Sequence, residues 1–174
     1  MFTFVTGGLR SGKSAYALRR ASELGPPPWL YVAPNTDGDD DLKARLAGHR
    51  RDQEAHWKLI EAPGTLGNAL DPDTVGNHGA VVIDRFTIWL SNHLAKFPQN
   101  ADRDFLGEVE QLGDRMYRSP TPVVLVTTEI GLGFLPVSVP DRRLINVAGL
   151  ANQILAERAQ SVVFLVSGIP QRLR

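Results

Sequence analysis

The sequence predicts an α/β fold in which helices flank a mostly parallel β-sheet. Short apolar runs of strand length alternate along the 174 residues with longer segments that have helical periodicity. The runs "AVVID" and "VVLVTT" are almost continuously apolar, which is typical of strands covered on both faces. Because no internal repeat or convincing linker interrupts this alternation, we expect a single domain over residues 1–174.

The predicted elements follow one another in a regular order. Five apolar runs have the β-branched or aromatic content of strands: Phe2–Thr6, Trp29–Ala33, Ala80–Asp84, Val123–Thr128 and Val162–Ser167. Trp57–Glu61 is a candidate for a further, shorter strand. Five segments have the periodicity of amphipathic helices: Lys13–Leu24, Asp39–His56, Phe86–Phe97, Asp102–Tyr117 and Asp141–Ala159. The prolines of "GPPPW" and "SPTPV" separate two of these helices from the strands that follow.

Composition narrows the class of protein. The 19 basic and 19 acidic residues cancel, so no overall charge favours nucleic acid or a membrane surface as a partner. No apolar run approaches the roughly 20 residues needed to span a bilayer, and the start lacks the pattern of a secretory signal. The absence of cysteine excludes disulfides, thiolate metal sites and cysteine nucleophiles. We therefore expect a cytoplasmic enzyme that binds neither nucleic acid nor membrane.

The stretch "VTGGLRSGKSAY" contains the P-loop pattern G-x-x-x-x-G-K-[ST] between a predicted strand and a predicted helix. In such a loop, backbone N–H groups and the helix N-terminus face phosphate oxygens. Lys13 is expected to contact the β- and γ-phosphates, and the Ser14 hydroxyl to ligate Mg²⁺. A glycine-rich turn that only joins strand to helix is the alternative. The predicted nucleotide-binding residues here are Gly7, Gly8, Leu9, Arg10, Ser11, Gly12, Lys13 and Ser14.

A P-loop site also needs a carboxylate near Mg²⁺, usually at the end of a neighbouring apolar strand. Asp84 closes "AVVID" and is the candidate metal ligand. Aspartate is also a favourable N-cap for the helix that starts in "RFTIWL", so a capping role stays open. Glu129 closes "VVLVTTE" at a carboxyl strand end, where ligands bind in open α/β sheets, and it is a second candidate.

The segment "KARLAGHRRDQEAHWKLIEAP" is the informative one for the reaction. It places His49 near three arginines, Arg45, Arg50 and Arg51. A histidine among arginines is able to contact phosphate, or to act as a nucleophile whose adduct the arginines stabilise. From the residues alone, a solvated helix face with an incidental histidine is the simpler interpretation. His56, beside Trp57, is expected to be a helix-end or packing histidine.

Eight blocks in order along nearly the whole chain carry a family resemblance: "TGGLRSGKSAYA", "YVAP", "KARLAGHR", "AHWKLIEAP", "VVIDRFTIWLSN", "VVLVTTEIGLGFLP", "LANQILAERA" and "VSGIP". They resemble blocks of the bacterial adenosylcobinamide kinase/adenosylcobinamide-phosphate guanylyltransferase family. The specific parts are G-G-x-R-S-G-K-S, R-x-x-x-H followed by H-W, T-x-E-[IV]-G-x-G and the near-terminal G-I-P. Many enzymes share a P-loop, but not this series. The resemblance therefore favours a functional role for His49.

The resemblance implies a two-step transferase of cobalamin assembly with a RecA-like P-loop fold and a homotrimeric state. In the first step, the γ-phosphate of a nucleoside triphosphate, ATP or GTP with Mg²⁺, passes to the aminopropanol hydroxyl of adenosylcobinamide. In the second, GTP guanylylates a histidine, which aligns with His49, and the GMP passes to adenosylcobinamide phosphate, giving adenosyl-GDP-cobinamide. His49 and Lys13 are the catalytic residues on this interpretation.

The resemblance also implies nucleotide contacts beyond the P-loop: Ala33, Pro34, Asn35, Arg50, Arg51, Asp52, Gln53, Glu61 and Asp84. The chemistry is coherent, because neutral imidazole is a good nucleophile near pH 7 and the arginines neutralise charge on phosphate oxygens. Glu61 is able to accept hydrogen bonds from the guanine edge, although a salt bridge to a neighbouring helix is an equal alternative.

The chain departs from the family pattern at several positions. Thr128 replaces an amide residue, Arg85 stands where a small residue is common, and Ile145 and Leu150 lie in a segment that usually carries more arginine. These departures put the expected corrinoid contacts or subunit packing in question, and they leave His49 and the P-loop unchanged. Two other classes stay open: a P-loop kinase of another small alcohol or nucleotide, and a nucleotide-dependent regulator without transfer chemistry.

Overall fold

A single seven-stranded sheet organises the parts of the chain described by the computed structural model, which are residues 1–34, 56–61, 66–98, 100–133 and 136–174. Its strands are β1 (Phe2–Gly7), β2 (Trp29–Ala33), β3 (Trp57–Glu61), β4 (Ala80–Ile83), β5 (Val123–Val126), β6 (Ser161–Val166) and β7 (Ile169–Arg172). The spatial order is β3-β2-β4-β5-β1-β6-β7. Strands β1 to β6 are parallel, and β7 pairs antiparallel with β6.

Helices cover both faces of this sheet. They are α1 (Lys13–Leu24), the short α2 (Pro72–Val75), α3 (Phe86–Leu94), α4 (Asp102–Arg118) and α5 (Val139–Arg158), with 3-10 turns at Leu66–Leu70 and Ile130–Leu132. On one face, Ala17 and Ala21 of α1 pack against alternate strand residues such as Val5 and Val124. On the other face, α3, α4 and α5 pack against the intervening residues, which include Phe4 and Leu125. Helices on both faces explain why β1, β4 and β5 are buried at every position.

The crossovers of β1 and β5 leave the sheet in opposite directions, an arrangement that in open α/β sheets forms a crevice outside the carboxyl ends of the two strands. Helix α1 carries the chain from β1 to β2 across one face, whereas α5 carries it from β5 to β6 across the other. Strands β1 and β5 are direct neighbours, with Val5 paired to Val126 near their carboxyl ends. Such a switch point is where open α/β sheets bind ligands.

The structure confirms the predicted α/β class and refines the boundaries. All five predicted strands are present, and the shorter candidate Trp57–Glu61 is β3. Residues 35–55 lie outside the described ranges, so the predicted helix Asp39–His56 is not described apart from His56. Helix α3 ends at Leu94 rather than Phe97. Helix α5 begins two residues earlier than predicted, because the Ser138 hydroxyl caps it by accepting a hydrogen bond from the Asp141 amide.

Candidate active site

The P-loop connects the end of β1 to the start of α1 and depends on two glycines. A Cβ at Gly7 would lie 2.5 Å from the Leu165 carbonyl oxygen of β6. Gly12 has φ of 93°, and a Cβ there would lie 3.1 Å from the Cα of Gly168, in the turn between β6 and β7. That turn also holds the loop directly, because the Gly168 amide donates to the Ser11 carbonyl at 2.9 Å. The loop is therefore fixed in a curled form that other residues could not adopt without strain.

Lys13 lies along the inside of this loop. Its side chain is only 7% exposed, and Nζ donates to the Gly8 carbonyl at 2.6 Å and to Ser11 Oγ at 3.4 Å. The ammonium group is thus held within the curl at the N-terminus of α1, where the helix dipole also favours anions. A triphosphate fits this combination of a buried cation, close-packed glycines and a helix N-terminus.

Asp84 follows the last residue of β4 and is 2% exposed. The Tyr31 hydroxyl donates to Asp84 Oδ2 at 2.5 Å, and the Arg85 amide donates to Oδ1 at 2.7 Å. The N-cap of α3 is Arg85, with φ of 60°, and its side chain forms no capping hydrogen bond. Asp84 is therefore not the N-cap of α3, and the capping alternative is wrong. Its carboxylate accepts from the amide of the N-cap residue Arg85 and not from an amide of the first turn. These two contacts fix the orientation of the carboxylate.

The strand order corrects one premise about Asp84. A metal-binding carboxylate was expected on a strand neighbouring the P-loop strand, but β5 lies between β4 and β1. The residue beside the P-loop is Glu129, whose amide donates to the Gly7 carbonyl at 3.0 Å. Sequence patterns indicate where strands end but not the spatial order of the strands. Asp84 and Glu129 both lie at the edge of the sheet formed by the carboxyl ends of the parallel strands, the same edge as the P-loop.

Glu129 is part of a polar network that sequence reasoning missed. Its Oε2 accepts from the Thr6 hydroxyl and its Oε1 from the Asn152 amide, both at 3.1 Å. Asn152 Oδ1 in turn accepts from the Thr127 hydroxyl at 3.1 Å, and the hydroxyls of Thr127 and Thr87 lie 3.0 Å apart. The network joins β1, β5, α3 and α5 at the crevice. In the sequence, only the adjacent polar residues of "TTE" and "ANQ" could have indicated this network.

The other predicted nucleotide contacts divide into two groups. Ala33 ends β2, the buried Pro34 follows it, and Glu61 ends β3 directly opposite Ala33. Glu61 is exposed and lies four strands from β1, which corresponds to about 19 Å along the same edge at roughly 4.8 Å per strand. The remaining predicted residues lie outside the described ranges: Asn35, His49, Arg50, Arg51, Asp52 and Gln53.

His56 lies away from this edge. It immediately precedes β3, so it is at the amino end of a parallel strand, whereas the P-loop is at the carboxyl ends. Its ring makes an edge contact with Trp29, with centroids 6.2 Å apart, and Trp57 packs on the same indole at 5.2 Å. This ring contact supports the packing alternative for His56, whose side chain is otherwise exposed.

Comparison over the whole chain decides the family. The sequence matches the family described as "CobU: Cobinamide kinase / cobinamide phosphate guanyltransferase" over residues 3–173. The chain belongs to this family. It is 36% identical over 175 residues to the bifunctional adenosylcobalamin biosynthesis protein CobP of Pseudomonas aeruginosa, covering 100% of this chain and 98% of that protein. It is 32% identical to the corresponding CobU protein of Escherichia coli, with both chains covered completely. As a CobU-family member, it is an enzyme of the transferase class.

Solved structures support the fold of the CobU-family chain independently. A KaiC-like protein from Pyrococcus horikoshii superposes with a TM-score of 0.57 at 15% identity, covering 94% of this chain and 71% of that one. The flagellar accessory protein FlaH from Methanocaldococcus jannaschii superposes with a TM-score of 0.56 at 12% identity, covering 99% of this chain and 77% of that one. These neighbours confirm a RecA-like P-loop NTPase fold. None of the helices in the described ranges combines the length and apolar composition needed to cross a bilayer.

Proposed function

We propose that this CobU-family enzyme phosphorylates adenosylcobinamide and then transfers GMP from GTP to the phosphorylated product, through a guanylylated His49. The observation that carries the proposal is an intact P-loop, with Lys13 held inside it, in a chain that matches the family from residue 3 to residue 173. The product of the second step would be adenosyl-GDP-cobinamide. The 174 residues would act as one kinase and guanylyltransferase domain, in the cytoplasm and as a homotrimer.

In the kinase step, the residues of the curled loop would bind the triphosphate of ATP or GTP. Amides of residues 7–14 would donate to phosphate oxygens, and Lys13 would neutralise charge on the β- and γ-phosphates. Ser14 and Asp84 would hold Mg²⁺, which supplies further charge neutralisation when it is bound. Tyr31 supports this role of Asp84, because its hydrogen bond fixes one carboxylate oxygen.

In the guanylyl step, a nitrogen of the neutral His49 imidazole would attack the α-phosphorus of GTP, and pyrophosphate would leave with the bonding electron pair. The resulting phosphoramidate is a good donor, from which GMP would pass to the corrinoid phosphate. Arg50 and Arg51 would neutralise charge on the α-phosphate oxygens. Asn35, Asp52 and Gln53 would add nucleotide contacts, as would Ala33 and Pro34 at the end of β2.

Glu61 would accept hydrogen bonds from the guanine edge of GTP. Its exposed position at the carboxyl end of β3 leaves it accessible to a base. Because it lies about 19 Å from the P-loop strand, we assign it to the guanylyl step rather than to the γ-phosphate end of the kinase site.

A stepwise product assay tests the proposal. Purified protein is incubated with adenosylcobinamide, Mg²⁺ and ATP, then with GTP, and the corrinoids are separated and identified by mass spectrometry after each stage. We expect the phosphate after the first stage and the GDP derivative after the second. Absence of both products, with turnover of another small alcohol, would place the chain among simple P-loop kinases. Tight GTP binding without any transfer would indicate a regulator.

A further inference from the structure

Glu129 lies at the switch point between β1 and β5, where an open α/β sheet forms its crevice. Its backbone amide is bonded to Gly7, the first residue of the P-loop, so its position relative to the phosphate-binding loop is fixed. Its side chain is half-buried, in contrast to that of Asp84, which is 2% exposed. Of Asp84 and Glu129, Glu129 is thus the one that is bonded through its backbone to the loop and whose side chain is partly exposed.

The donors to Glu129 hold it in place and leave acceptor capacity. Thr6 and Asn152 each donate one hydrogen bond, one to each carboxylate oxygen. An ionised carboxylate accepts about four hydrogen bonds, so each oxygen retains a lone pair. Both donors are neutral, and within the described ranges Glu129 forms no ion pair. The two contacts that orient the carboxylate therefore both come from neutral donors.

Asn152 is itself held by a second tier of contacts. It is 6% exposed, and its Oδ1 accepts from Thr127, which directs Nδ2 towards Glu129. Thr127 is further linked to Thr87, whose hydroxyl also accepts from the Thr128 amide at 2.8 Å. A buried chain of this kind specifies one orientation for the terminal carboxylate. If these hydrogen bonds only stabilised the fold, the series would not need to end at a half-exposed carboxylate.

We propose that Glu129 is the general base of the kinase step and that Asn152 is its positioning residue; this rests on the kinase activity proposed above. The hydroxyl oxygen of the acceptor alcohol forms a bond to the γ-phosphorus, and its proton passes to the Glu129 carboxylate. The bond between the γ-phosphorus and the bridging oxygen breaks, and its electron pair leaves with the nucleoside diphosphate. The crevice beside the P-loop is where an acceptor could reach both groups.

The test measures the two steps separately in Glu129→Gln, which keeps the shape of the side chain. General bases contribute roughly 10²- to 10⁴-fold, so kcat for adenosylcobinamide phosphorylation should fall by that factor. The affinity for ATP, the half-saturating Mg²⁺ concentration and the labelling of the protein by GTP should stay at wild-type values. In Glu129→Ala, added formate should restore part of kcat. Glu157→Gln, at an exposed glutamate of α5, is the matched control.

Asn152→Ala tests the positioning role. Loss of the amide donor should lower kcat roughly 10- to 100-fold with little change in KM, because the base is present but misplaced. Added formate should not restore kcat in Asn152→Ala, because the Glu129 carboxylate is still present in this variant. Gln153→Ala, at the exposed neighbouring amide, serves as its control.

Three outcomes would overturn the assignment. Wild-type kcat in Glu129→Gln would show that no proton is accepted there. A raised half-saturating Mg²⁺ concentration with normal kcat at saturation would make Glu129 a metal ligand instead. A wild-type chain that binds ATP but does not phosphorylate adenosylcobinamide would refute the proposed function itself, and this inference with it.

Discussion

Removal of the Tyr31 hydroxyl should destabilise the enzyme measurably through Asp84. Tyr31 and Asp84 are each 2% exposed, and the hydroxyl donates to Oδ2 at 2.5 Å. Tyr31→Phe leaves that oxygen of a buried carboxylate without its donor, while the ring keeps its packing. A hydrogen bond to a charged group contributes about 1.5–3 kcal/mol to the free energy of unfolding. For a chain of this size, that loss corresponds to a decrease in Tm of about 3–12 °C.

Urea denaturation followed by circular dichroism measures the change, with Tyr117→Phe as the control at a tyrosine that is 53% exposed. The control should differ from the parent by less than about 0.5 kcal/mol. The half-saturating Mg²⁺ concentration for kinase activity should also rise in Tyr31→Phe, because Asp84 loses one of its two orienting contacts. A free energy of unfolding equal to that of the control would refute the view that this hydrogen bond fixes the carboxylate.

Three further substitutions test the P-loop and the metal site. Lys13→Ala should weaken triphosphate binding roughly 10- to 100-fold and abolish phosphorylation of the corrinoid, and unchanged turnover would rule out the P-loop assignment. Asp84→Asn should raise the half-saturating Mg²⁺ concentration in an activity titration, and an unchanged value would limit Asp84 to its structural contacts. Gly12→Ala should lower the free energy of unfolding by about 1–3 kcal/mol, because φ is 93° and the new Cβ meets Gly168 at 3.1 Å. Chemical denaturation measures this change, and Gly107→Ala is the control for Gly12→Ala because nothing lies within 4 Å of a Cβ at that helix position. Equal changes in the free energy of unfolding for the two variants would contradict the strain argument.

Local sequence patterns were sufficient for most of the architecture and for the P-loop. Continuous apolar runs predict buried parallel strands because helices cover both faces, and β4 and β5 are buried at every residue. Strand β7 was not predicted, because Ile169–Arg172 is exposed throughout and contains a proline. It pairs antiparallel with β6 at the edge of the sheet, an arrangement that leaves no hydrophobic periodicity in its sequence.

The spatial arrangement of the site was less predictable. Glu129 could be named from its place after an apolar run, but its proximity to Thr6 and Asn152 depends on folding across 123 and 23 positions of sequence separation. The position of Asp84 two strands from β1 likewise depends on strand order, which no local pattern encodes. The arginine-rich segment around His49 offered a covalent role as one alternative, and only the family resemblance favoured it over a solvated helix face. Its contacts remain a prediction.

Labelling with [α-³²P]GTP tests the central claim, covalent GMP transfer through His49, most directly. Wild-type protein with GTP and Mg²⁺ should gain one GMP per chain and release pyrophosphate without any corrinoid. The label should survive denaturation, persist in mild base and be lost in mild acid, as expected of a phosphoramidate and opposite to an acyl phosphate. His49→Ala should not be labelled but should still phosphorylate adenosylcobinamide at a reduced rate, whereas His56→Ala should be labelled normally. No label on the wild-type protein, or label that persists in His49→Ala and disappears in His56→Ala, would contradict the account.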